Sequence, residues 1–292
     1  MPRNYLHIKD YEKEILKLSE AGEDDKMSMC ADFHMHTTFC DGKNTPEEMV
    51  KKGIEIGLSV MGFSVHSPLT RDCSWAIRPD KTAEYRAEIY RLRDKYADKI
   101  RIYCGIEQDS FTECAPIGYD YIIGSVHAVF KCGVHTDVDM SPETSLDAIL
   151  RFYDGDKYAF AEDYFALVGD IVEKTGADII GHFDLLSKFQ DHGLAFDVNH
   201  PRYAAAWKAA ADKLLKTGVP FEINTGAISR GYRKTPYPAP EILRYLADHG
   251  GKAVINSDSH STDALGCSYD AAYRIAKEIG IPLVDQIKDI HF

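Results

Sequence analysis

The 292-residue chain has no Cys-x-x-Cys pair, no apolar run long enough to cross a bilayer and no excess of basic charge. Its seven cysteines (Cys30, Cys40, Cys73, Cys104, Cys114, Cys132 and Cys267) are odd in number and scattered. That argues against a zinc ribbon, a disulfide framework or a redox dithiol. They read as reduced, mostly buried thiols. The 46 acidic against 34 basic residues leave a net charge of −12. A protein that grips the phosphate backbone of a nucleic acid carries the opposite balance. Nucleic acid is therefore not expected as the main partner, although divalent metals can supply local positive charge for a small phosphorylated molecule. A membrane span needs roughly 18–20 apolar residues, so no membrane partner is expected. The start, Met1-Pro-Arg-Asn-Tyr-Leu-His7, lacks the apolar centre of a signal peptide, and a cytoplasmic location is expected. No glycine-rich dinucleotide or phosphate-loop fingerprint follows any apolar run.

What the chain does have is a full apolar complement, 45% of residues, arranged as alternating β-type and α-type segments. Strands are expected at 30–34, 59–66, 100–107, 119–126, 178–182, 220–224 and 252–256. Helices are expected at 45–57, 79–97, 162–175, 201–216, 241–249 and 269–279. The first of these has a capping Thr45, Pro46 at the first helical position and acids in its first turn. Residues 130–159 read as irregular apart from a short helix at 142–153. Loops are expected at 187–200 and 225–240. Residues 1–29, with a helix over 11–20, read as an N-terminal extension. Seven strands alternating with helices imply parallel pairing and right-handed crossovers. A single α/β domain over 30–292 of (β/α)-barrel type fits best, and an open doubly wound sheet is the alternative.

Histidines and carboxylates close these apolar runs. They are Asp32-Phe-His34-Met-His36, Ser64-Val-His66, Gly105-Ile-Glu107, Ser125-Val-His127, Gly181-His182 and Asn256-Ser-Asp258-Ser-His260. On extended backbone, residues i and i+2 leave the same face, so His34 and His36 can reach one ion, as can Asp258 and His260. Functional residues of parallel barrels collect at the C-terminal strand ends. Imidazole and carboxylate without thiolate suit Zn, Mn, Fe or Co. Six histidines with two carboxylates exceed one tetrahedral centre. Glu107 is the natural bridge, since a carboxylate has two oxygens, and paired metals support in-line displacement at phosphorus. The other six histidines have ordinary explanations. His249 sits at a helix C-terminus, His200 precedes Pro201, His7 and His291 lie near the termini, and His135 and His192 fall in loops.

The run His34-Met-His36-Thr-Thr-Phe-Cys-Asp41-Gly, with His66 and Ser257-Asp258-Ser-His260, resembles the polymerase and histidinol phosphatase (PHP) superfamily. The resemblance extends from about Asp32 onward. It implies a distorted, TIM-like (β/α)7 barrel with a trinuclear centre. One metal would take His34, His36, Glu107 and Asp258. A second would take Glu107, His127 and His182, and a third Asp41, His66 and His260. Many members read Thr-Asp-His where this chain has Ser64-Val65-His66. Asp41, the run His182-Phe-Asp-Leu185 and the segment Glu222-Ile-Asn-Thr-Gly226 through Tyr237-Pro-x-Pro-Glu241 look most like the monofunctional L-histidinol-phosphate phosphatase branch.

The resemblance thus implies a phosphoric monoester hydrolase of histidine biosynthesis. It would use three divalent ions, Zn, Mn and/or Fe, and a metal-bridging hydroxide to release phosphate from L-histidinol phosphate. Asp41, His66 and His260 would assist the leaving group. Arg230 and Arg233, in the loop after the sixth strand, offer guanidinium forks suited to phosphate oxygens. Lys188 is a further candidate for substrate contact, and Asp109, at i+2 from Glu107, for a substrate ammonium. The alternatives are a PHP phosphoesterase for a nucleotide or sugar phosphate, and a metal-binding module without catalysis.

Overall fold

The computed structural model describes residues 31–69, 71 and 73–284. The extension 1–29, its expected helix, Cys30 and His291 lie outside the described residues. The chain forms a nearly closed barrel of seven parallel strands: β1 (Ala31–Asp32), β2 (Val60–Phe63), β3 (Arg101–Asp109), β4 (Tyr121–Ser125), β7 (Ile179–Ile180), β8 (Phe221–Asn224) and β9 (Ala253–Asn256). They neighbour one another in that order, each pair parallel. The two ends of the sheet meet just beyond the strands. A parallel bridge joins Met35 to Ser259, with His36 N donating to Ser259 O at 2.8 Å. The open-sheet alternative is thereby excluded.

The helices are α1 (Pro46–Glu55), α2 (Thr82–Lys95), α3 (Pro142–Phe152), α4 (Lys157–Gly169), α5 (Ile171–Thr175), α6 (Pro201–Leu215), α7 (Gly226–Ser229), α8 (Pro240–Asp248) and α9 (Tyr269–Ile279). Thr45 and Glu48 form a reciprocal capping box that starts α1. Among the described residues no helix is long and apolar enough to cross a membrane.

Phe33, Val60, Tyr121, Ile123, Ile179 and Val254 form one buried cluster drawn from around the whole sheet, so it fills the barrel interior. Tyr121 donates to Phe33 O at 2.5 Å, and its phenol fills the space beside Gly62 and Gly105. A Cβ at Gly105 would come within 2.2 Å of that ring, which is why a strand tolerates glycine there. Two larger apolar clusters pack helices on the outside.

Two sequence expectations are corrected. Part of the irregular stretch is an antiparallel hairpin, β5 (Ala128–Lys131) and β6 (Val134–Asp137). Its turn, Cys132-Gly133, has positive φ at both residues (51° and 81°), a conformation that Cys does not advertise. The helix expected at 162–175 is two, α4 and α5. Asp156 starts α4 five residues early by accepting from Tyr158 N and Ala159 N.

Candidate metal centre

Every proposed ligand lies at the C-terminal mouth of the barrel, and the strand register explains why. Glu107 sits inside β3 and is 1% exposed. His34 and His36 follow β1, His66 follows β2, His127 follows β4, His182 follows β7, and Asp258 and His260 follow β9. Five imidazoles are brought around the Glu107 carboxylate, whose two oxygens face different groups, and His260 joins the cluster through Asp258 and Asp41. Oε1 is 2.9 Å from His182 Nε2 and 3.3 Å from His127 Nε2. Oε2 is 2.7 Å from His66 Nδ1, 3.4 Å from His34 Nε2 and 3.6 Å from His36 Nε2. Asp258 Oδ1 lies 3.2 Å from His36 Nε2 and 3.6 Å from His260 Nδ1. Asp41, at the solvent edge, is 3.3 Å from His260 Nε2 and 3.6 Å from His66 Nε2. Asp258 has φ of 48°, a strained conformation for a non-glycine residue, and strain of this kind collects at functional sites.

These groups fit divalent cations. His34 Nε2, His36 Nε2, His66 Nδ1 and Glu107 Oε2 are buried without hydrogen-bond partners, although buried polar atoms are almost always paired. Their lone pairs converge. Burial, then the nearby His260 and His66, push His36 down to about 3, which keeps it a neutral donor. Burial works to raise Glu107, but the surrounding His34, His66 and His127 hold it well below the carboxylate range. Among the described residues, three sets have ligand atoms within 4.8 Å of one another: His34, His36 and Asp258; His36, Asp41, His66 and His260; and His66, Glu107 and His127. The division differs in detail from the one the resemblance implies. His36 and His66 each face two sets, and His182 reaches the centre through Glu107 Oε1.

A second layer of carboxylates fixes the imidazoles. Glu222 Oε1 is 2.6 Å from His34 Nδ1 and also accepts from Asn256 Nδ2, while Oε2 accepts from Asn224 Nδ2 and His182 N. Asp109 Oδ2 is 2.9 Å from His127 Nδ1. In both cases the other ring nitrogen is left facing the centre. Glu222 was not among the expected site residues. The available signal was an acid inside the apolar run Phe221-Glu-Ile-Asn. Val65 is fully buried in an apolar cluster with Met35, Met61 and Phe63. Cys40 Sγ is 3.5 Å from His36 Nδ1, and burial, with the Asp41 charge, pushes its thiol up to about 12.

Above the ligands opens a cavity of about 390 Å³. Of the four expected substrate contacts, Arg230 and Lys188 line it. Arg230 donates to Asp258 Oδ2 at 3.0 Å and to Asp258 O at 3.1 Å. Lys188 donates to Asp139 O at 2.8 Å. Arg233 does not line this cavity; it is buried in the wall of a neighbouring one. Asp109 is 1% exposed and engaged with His127, not open to the mouth as expected. Sequence reasoning missed Trp75 and Asp139, which also line the cavity. The Trp75 ring packs edge-on against His66 with centroids 4.7 Å apart.

Comparison with known proteins matches the PHP domain over residues 32–226. The "Probable histidinol-phosphatase" of Deinococcus radiodurans is 30% identical over 268 residues, covering 87% of this chain and 95% of that protein. A Listeria monocytogenes structure assigned as a histidinol phosphatase superposes with a TM-score of 0.71 at 23% identity, covering 82% of this chain and 98% of its own. The Lactococcus lactis histidinol phosphate phosphatase, solved with Zn, L-histidinol and phosphate, gives 0.63 at 20% identity, covering 87% and 95%.

Proposed function

The chain belongs to the PHP-domain family, and from that premise we propose that it is a divalent-metal-dependent phosphatase of L-histidinol phosphate. The observation that carries the proposal is the Glu107 carboxylate, with its two oxygens aimed at separate groups of imidazoles beneath a cavity that holds Arg230. Three divalent ions, of Zn, Mn and/or Fe, would be held by His34, His36, Glu107 and Asp258, by the shared Glu107 with His127 and His182, and by Asp41, His66 and His260. When bound they supply Lewis-acid charge and a water acidic enough to attack phosphorus near neutral pH.

The protein's own groups do the rest. Glu222 and Asp109 hold His34 and His127 in one ring orientation. Arg230, fixed by Asp258, offers its fork to phosphoryl oxygens and neutralises charge that builds there in the transition state. Lys188 adds a second cation from the adjacent loop, after β7. Trp75 gives an aromatic face and Asp139 a carboxylate, matching the imidazole and ammonium of L-histidinol phosphate. Asp41, His66 and His260, nearest solvent, would hold the ion that assists the departing alkoxide.

The test is phosphate release across a panel of esters by metal-loaded protein. The reading expects the highest kcat/KM for L-histidinol phosphate, at least about 100-fold above ribose 5-phosphate or a mononucleotide, a ratio within reach of a few well-placed polar contacts. A higher kcat/KM for either competitor would move the assignment to another phosphoesterase.

A further inference from the structure

Beside the metal cavity lies a second one of about 230 Å³, formed by the loops after β7 and β8 and the start of α8. The two share walls. Residues 182–188 turn His182, Leu185 and Lys188 to the metal cavity, but Asp184 and Ser187 to the second. Residues 230–235 do the same, with Arg230 and Tyr232 on one side and Arg233 and Thr235 on the other.

Acceptors and donors do not balance in this second cavity. Asp184 is 1% exposed. Its Oδ2 accepts from Ser187 Oγ at 3.1 Å and Ala239 N at 3.2 Å, while Oδ1 has no partner. Glu241 Oε2 is likewise buried and unpaired. Arg233 does not answer either oxygen. Its Nη1 donates to Ser187 Oγ and its Nη2 to Thr235 Oγ1, its guanidinium lies over the Tyr237 ring, and it comes no nearer to Asp184 than 3.6 Å. Four acids line the cavity against two bases, and Phe196 and Tyr203 give it aromatic walls. Burial, with the Asp184 charge adding, raises the Glu241 carboxyl, as expected of an acid short of donors.

We propose that this cavity binds a small organic ammonium ion with an apolar or aromatic body, at a site distinct from the metal centre. The ammonium donates to Asp184 Oδ1 and Glu241 Oε2, and the body packs on Phe196 and Tyr203, where aromatic faces also favour a cation. The volume limits the ligand to about the size of one amino acid.

The probe is benzylammonium, titrated calorimetrically into metal-loaded protein saturated with inorganic phosphate, with benzyl alcohol as the neutral control. Saturable 1:1 binding in the millimolar range or tighter is expected, with none for the alcohol. Binding is expected to weaken at least fivefold in Glu241→Gln and to vanish in Asp184→Asn. Unfolding midpoints check that both variants fold, and Glu241→Gln decides if the other does not. No saturable binding, equal binding of the alcohol, displacement by phosphate, or undiminished binding in the variants would each overturn the proposal.

Discussion

Glu222 and His34 are joined by a 2.6 Å contact between Oε1 and Nδ1, and the same carboxylate takes the backbone N–H of His182. One buried acid therefore positions candidate ligands from β1 and β7 together. Glu222→Gln keeps the shape but replaces one accepting oxygen with an NH2 group, set against either His34 and Asn256 or Asn224 and the His182 N–H. The expected result is a loss of metal affinity of about 10–100-fold, the usual cost of such an outer partner. Equilibrium dialysis against Zn or Mn reads it, and unchanged affinity would show that His34 needs no such orientation.

Arg230 and Arg233 separate cleanly. Arg230→Lys retains charge but loses the planar fork, and kcat/KM for the ester should fall roughly 10–100-fold, about 1.4–2.8 kcal/mol. Arg233→Lys lies behind the wall. It should leave kcat/KM within about threefold and lower the unfolding midpoint, since it disturbs a buried contact to Ser187. The reverse ranking in steady-state kinetics would put the phosphate contact at Arg233.

Asp139→Asn tests how the organic half of the substrate is read. With L-histidinol phosphate, KM should rise about tenfold, in line with a hydrogen bond to a charged group. With p-nitrophenyl phosphate, which has no ammonium, it should not move. Equal effects on both esters would assign the Asp139 carboxylate only to its 3.2 Å ion pair with Lys188.

Burial, then the Asp120 charge, pushes the Cys104 thiol up to about 12, whereas Cys114 and Cys132 are exposed. At pH 8 a thiol with that value is thiolate in only about 1 part in 10⁴. Brief alkylation of the native protein, mapped by mass spectrometry, should therefore label Cys114 and Cys132 and spare Cys104.

Gly105 tests the barrel interior. A methyl group there collides with the Tyr121 ring. Gly105→Ala should cost about 1–3 kcal/mol of stability, the range for an overfilled core, in denaturant unfolding. A neutral result would mean that Tyr121 can move away, and with it the bond to Phe33 O.

The barrel was legible in the chain because six of its seven strands are compact apolar runs that lead into a metal-type residue; β8 is the exception. Strand ends carry two independent signals, hydrophobicity and ligand chemistry, and both fall at the same places. The hairpin at 128–137 escaped because Cys132 takes a left-handed turn without the usual Asn or Asp. Glu222 escaped as a site residue because a lone acid says nothing of its partner, which lies 188 positions away in the chain. The direction of a loop side chain is equally hidden. Arg230 and Arg233 are three residues apart in the sequence and face different cavities.

Sharing of Glu107 between metal sets is the point on which the mechanism rests. The direct measurement is metal content per chain, by elemental analysis after reconstitution and desalting, together with kcat on L-histidinol phosphate, for the native protein and Glu107→Gln. About three equivalents are expected in the native protein. In the variant, at least one equivalent should be lost and kcat should fall roughly 10³-fold, a loss equal to about 4 kcal/mol of transition-state stabilisation. A Glu107→Gln protein with the native metal content and native kcat would contradict the shared-carboxylate site.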